Sequence, residues 1–80
     1  MVHVISVTPA DSGWSVHASG SHDEMTFLSG AKAERAARRL GDKIAAAGEG
    51  AEIRIYLRDG ALAGRFVCPP SETSMFVADL

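Results

Sequence analysis

The stretch AEIRIYLRDGALAGRFVC, residues 51–68, decides the fold. From Glu52 to Arg58 polar and apolar residues alternate strictly, with Ile53, Ile55 and Leu57 set against Glu52, Arg54, Tyr56 and Arg58. A period of two is the mark of a strand with one buried face. Asp59-Gly60 then reads as a two-residue hairpin turn with positive φ at both central positions, and Ala61–Cys68 returns as a second strand. That turn sets Leu57 opposite Leu62, Ile55 opposite Gly64 and Ile53 opposite Phe66. The expected core face is Ile53, Ile55, Leu57, Leu62 and Phe66. Gly64, lacking a side chain opposite Ile55, indicates a bulge or a close neighbour, and Pro69-Pro70 ends the strand.

The segment preceding this hairpin is a helix. Ser29 is a favourable N-cap. Ala31–Ala47 follows, with Ala33, Ala36, Ala37, Leu40, Ile44 and Ala47 recurring at helical spacing. Glu34 and Arg38 form an i,i+4 pair on the polar side, and Gly48 and Gly50 stop the helix. A stripe this rich in alanine implies that the helix axis lies close to what it covers.

The amino-terminal third repeats the hairpin pattern. Val2–Thr8 is a strand, Pro9–Gly13 a turn and Trp14–Ala18 a strand. Setting Thr8 opposite Gly13 places Val7 against Trp14 and Ile5 against Val16. His3, Ile5, Val7, Trp14, Val16 and Ala18 then share one face. Trp14 is thereby read as a core residue and not as a recognition residue on a loop. Ser19–Asp23 is a loop. Glu24–Leu28 either extends the second strand or forms a short third one, with Met25 and Phe27 on its buried side.

These elements describe a single α+β domain over residues 1–70, a four-stranded, mostly antiparallel sheet of two hairpins with one helix on one face, in the order ββαββ. A tail over residues 71–80 carries the apolar triplet Met75-Phe76-Val77. Eighty residues bury little surface. The single cysteine, Cys68, forms no internal disulfide, so extra stability is expected from a second copy. The lone thiol fits a reducing compartment, the cytoplasm. The first eight residues lack the basic and apolar regions of a signal peptide, and no apolar run is long enough to span a membrane.

Three stretches, HVISVTPADSGWSV, AKAERAARRL and IRIYLRDGAL, covering roughly residues 2–66, resemble a family of short bacterial proteins of unknown function. The resemblance rests on the Pro-turn-Gly-Trp opening and the Arg-Asp-Gly hairpin. It implies the same two-hairpin, one-helix fold and no catalytic residues. The tail from Pro69 departs from the pattern.

No catalytic or metal motif stands out. His3 and His17 fall on opposite faces and His22 in a loop, whereas zinc needs three or four converging ligands. Cys68 has no cation beside it except Arg65 and reads as a buried structural thiol, not a nucleophile. Asp23-Glu24 is the only adjacent acidic pair, and it falls in a solvated loop, whereas acid–base work needs a buried, perturbed pair. The chain is therefore expected to be neither an enzyme nor a holder of cofactor or metal.

Two surfaces remain. The outer sheet face carries Arg54, Tyr56, Arg58 and Arg65. Arg54 and Arg65 face each other across the strands, which is unfavourable unless an anion lies between them. The helix carries Lys32, Arg35, Arg38, Arg39 and Lys43 against Glu34 and Asp42, a net +3 in a chain of net charge −2. The expected function is a small binding or assembly module, a homo-oligomer formed through the open sheet face or the tail. The alternative is a weak single-stranded nucleic-acid binder that stacks bases on Tyr56 and pairs phosphates with Arg54, Arg58 and Arg65. The helix face suits an acidic protein partner; no membrane partner is expected.

Overall fold

The computed structural model describes residues 2–70. It is an α+β domain whose strands are β1 (Val2–Ala10), β2 (Gly13–Ala18), β3 (Glu24–Phe27), β4 (Gly50–Tyr56) and β5 (Leu62–Cys68), with helix α1 (Gly30–Ala46) between β3 and β4. The sheet has five strands in the order β3-β2-β1-β4-β5, not four. Glu24–Phe27 is a strand of its own, paired antiparallel to β2 with Trp14 opposite Phe27 and Val16 opposite Met25. The two hairpins meet through a parallel pairing of β1 with β4, where Ile5 lies opposite Ile53 and Val7 opposite Ile55. The remaining pairings are antiparallel.

β1 and β4 lie inside the sheet and carry the most deeply buried side chains, Ile5, Val7 and Ile53, which with Val16 on β2 make the centre of the core. The helix closes the core from one side with Ala33 and Ala37, both fully buried. Ser29 caps it, its Oγ accepting from the Lys32 backbone N–H at 3.2 Å, and Glu34 pairs with Arg38 at 3.0 Å. The buried positions of the helix are Ala33, Ala37, Gly41 and Ala45, while Ala47, expected in the stripe, is exposed. The stripe turns toward Gly41 because glycine lets the helix come closest there. A Cβ at Gly41 would stand 2.9 Å from Cys68 Sγ and 3.5 Å from Ile53 Cδ1. Gly41→Ala is therefore expected to destabilise by about 1 kcal/mol, overpacking of about 1–3 less about 1 regained in helix propensity. Denaturant unfolding checks this, and a Cys68→Ala background should turn the loss into a gain.

Both hairpins depart from the expected geometry. In the first, Ala10 faces Gly13, so the loop is Asp11-Ser12 and Trp14 lies opposite Pro9 instead of Val7. The strand continues through Pro9 because β4 has already left, Val7 being the last β1 residue paired to it. Proline is tolerated where a strand has a free edge. The slip is two residues, so every side chain keeps its face.

In the second hairpin the expected pairs Ile53–Phe66 and Ile55–Gly64 are present, and a bulge follows between Ile55 and Tyr56, putting Leu62 opposite Tyr56. Within this hairpin's turn Gly60 has positive φ, +87°, and Asp59 does not. The Gly60 N–H bonds to Leu57 C=O at 2.9 Å and the Leu57 N–H to Ala61 C=O at 2.8 Å. This is a three-residue loop, Arg58-Asp59-Gly60, a turn followed by a glycine bulge. The bulge removes Leu57 and Leu62 from the core: both are exposed, and Phe66 is 39% exposed. The helix covers the middle of the sheet and does not reach this corner.

Candidate interaction surfaces

The outer face of the sheet is uncovered among the described residues. A row of side chains crosses all five strands: Arg65, Arg54, Ser6, His17 and Glu24 are successive cross-strand partners. Arg54 and Arg65 do face each other, as the register required, and the anion between them is internal. Glu52, two residues before Arg54 on the same face, bonds to Arg54 Nε and lies 3.5 Å from Arg65 Nε. Its side chain is 14% exposed, a carboxylate largely covered by the two guanidiniums it serves. The hydrogen bond to Glu52 raises the Arg54 pKa above its ordinary value, so this cation stays charged. Farther along the sheet Thr8 Oγ1 and Ser15 Oγ sit 3.3 Å apart, and Ser15 is buried.

Tyr56 belongs to this face, but Arg58 does not join the row. It stands exposed in the β4–β5 loop. Tyr56 and Arg58 instead both line an open groove of about 670 Å³ where β1 and β4 diverge, together with Ser6, Thr8 and Asp11. The stacking-plus-phosphate arrangement is thus split. Two of its arginines share a carboxylate, and the third lies on a loop with the tyrosine.

The histidines stay apart. His3 lies on β1 next to Glu49, Nε2 to Oε1 3.1 Å. His17 Nε2 is 2.7 Å from the Ser21 carbonyl, and His22 is exposed in the loop. No group of three or more potential metal ligands occurs among the described residues. Cys68 is half-buried on the helix side, opposite Ala51, under Gly41.

The basic helix residues divide. Arg38 is engaged, bonded to Glu34 and placed 4.6 Å over the Phe66 ring, on the β5 side. Lys32, Arg35, Arg39 and Lys43 lie on the β3 side, and none is within 4.0 Å of a carboxylate of the described residues. They border two adjoining hollows of about 240 Å³ each between α1 and β3, whose apolar walls are Phe27, Met25, Ala36 and Leu40.

A second feature was hidden in the sequence. β5 is a seven-residue edge strand whose Leu62, Phe66 and Val67 are 51, 39 and 62% exposed. Leu62 and Phe66 read as core until the strand order makes β5 an edge.

No helix of the described residues is long and apolar enough to cross a membrane. No family model, curated protein or solved structure matches the chain.

Proposed function

We propose that this domain is a non-enzymatic, cytoplasmic assembly module that pairs with a second copy of itself along β5. The observation that carries this reading is the β5 edge: seven residues with one side unpaired and apolar side chains exposed on both faces. An edge of this kind is a template for another strand, and monomeric proteins blunt it with lysine, proline or a cover. Here Pro69-Pro70 limits the strand at one end and the Gly60 loop at the other, leaving Leu62–Cys68 open between them. A twofold axis at Phe66 stacks the two Phe66 rings and sets Arg65 beside the partner's apolar edge; an axis at Arg65 sets like charges opposite each other, which is unfavourable. The polar outer sheet face, expected from the sequence as the contact, supports this less, because Arg54, Arg65 and His17 of its central row already have partners within the domain. The exchange of a tail concerns residues 71–80, which lie outside the described residues.

Sedimentation of the full chain from low to high micromolar concentration tests the proposal. A dimer is expected, and Val67→Lys is expected to return it to a monomer. Val67 is 62% exposed, so the substitution changes folding stability by less than about 0.5 kcal/mol. Tyr56→Ala is expected to leave association unchanged. A monomer at several hundred micromolar, or a dimer indifferent to Val67→Lys and lost in Tyr56→Ala, overturns the proposal.

A further inference from the structure

We infer that the channel between α1 and β3 binds an extended acidic peptide that adds as a sixth strand to the β3 edge. Three independent features converge there. The first is charge. Lys32, Arg35, Arg39 and Lys43 follow one another at spacings of three and four residues and form a continuous rim along the helix. From Lys32 to Lys43 this rim is about 16 Å long, the reach of about five extended residues. Its cations have no carboxylate of the described residues within 4.0 Å, whereas Arg38 on the same helix does. The rim is therefore an electrostatic surface waiting for an external anion.

The second feature is the floor. Met25 on β3 is 43% exposed, and with Phe27, Ala36 and Leu40 it makes an apolar trough beneath the cations. A phosphate chain has no use for such a floor, whereas a peptide that alternates acidic and apolar side chains fills both levels. The third is the edge itself. β3 is the outer strand of the sheet on this side, bonded to β2 alone. Its free side presents backbone N–H and C=O groups to an incoming strand, the mode in which main-chain bonds supply affinity and alternate side chains supply specificity. A strand laid along β3 turns every second side chain toward the helix, against Met25 and Phe27 and up to the basic rim. Because β3 and β5 are opposite edges, this site does not depend on the assembly proposed for β5.

The test uses the full chain and a labelled ten-residue peptide of alternating glutamate and valine. Binding is expected in low salt, weakening several-fold when the ionic strength is raised and the Debye length shortens to below about 8 Å. Arg35→Glu with Arg39→Glu is expected to weaken it by more than about tenfold, because like charges then line the channel. Arg35→Gln with Arg39→Gln gives an intermediate loss and guards against a folding defect. Val67→Lys leaves binding unchanged. Backbone amide signals of Met25–Phe27 are expected to shift on binding, with those of Leu62–Cys68 unmoved. Four outcomes overturn the inference: no binding at low salt, binding indifferent to the double reversal, amide shifts confined to other strands, or binding of phosphatidylserine vesicles or single-stranded oligonucleotide at these arginines in place of the peptide.

Discussion

Ile53→Ala is expected to lower the unfolding free energy by about 4 kcal/mol, within the range of about 2–5 for emptying a buried isoleucine site. Ile53 is fully buried. It lies on β4 between Ile5 and Phe66, and its Cδ1 stands 3.5 Å from where a Cβ of Gly41 would be. A closely approached helix and two paired neighbours leave the cavity no easy way to collapse. A chain of this length has only about 4–12 kcal/mol in all, so the variant is expected to lose a third or more of its stability. Ile53→Val should lose about 1 kcal/mol. Leu57→Ala and Leu62→Ala, both at exposed sites, should lose less than about 0.5. Urea unfolding followed by circular dichroism ranks the four. A Leu57 or Leu62 variant as damaged as Ile53→Ala would place the core at the hairpin tip and refute the bulge.

Trp14→Ala is expected to lose about 3 kcal/mol, the lower end for a large aromatic, because the ring is partly and not wholly covered. Trp14 sits between Pro9 on β1 and Phe27 on β3. A Cβ at Gly30 would lie 3.1 Å from its Cε2. The indole thus roofs the end of the core beneath the first turn of α1, joining the amino-terminal hairpin, the third strand and the helix. Removing it unties three elements at once. Trp14→Phe should restore more than half of the loss. A folded Trp14→Ala protein with a near-native urea midpoint would show the indole to be ornamental.

Much of this was legible because side-chain period survives errors in pairing. The first hairpin is slipped by two residues from the expected register, yet Ile5, Val7, Trp14 and Val16 still share the helix-facing side, since two is the period of a strand. The helix, its Ser29 cap and the Glu34–Arg38 pair are local, set by residues at most four apart. The β4–β5 hairpin was legible up to Ile55 and misread beyond it. Asp59-Gly60 suits two turn types, and the choice between them decides whether Leu57 and Leu62 face the core or solvent. Of the candidate sites, Arg54 and Arg65 were correctly opposed, and Glu52, which the strand's alternation sets on the same face two residues before Arg54, is the counter-ion they share. Arg58 left the group with the turn type.

The amino-acid sequence by itself determined the helix with its Ser29 cap, four of the five strands and the faces of β1, β2 and β4 as far as Ile55, because these depend on residues near in the chain and on a period each strand or helix imposes. Only the tertiary structure decided that β1 and β4 lie parallel at the centre, that Glu24–Phe27 closes one side as a fifth strand, and that β5 is an edge. It also divided one run of helix cations into an engaged Arg38 and a rim of four over an apolar channel. Strand order is set by long-range burial: β1 and β4, whose inner side chains are covered most completely under the helix, lie inside, and β5, though richer in apolar residues than β4, takes an edge. An edge, a shared carboxylate or a channel exists only once that order is set.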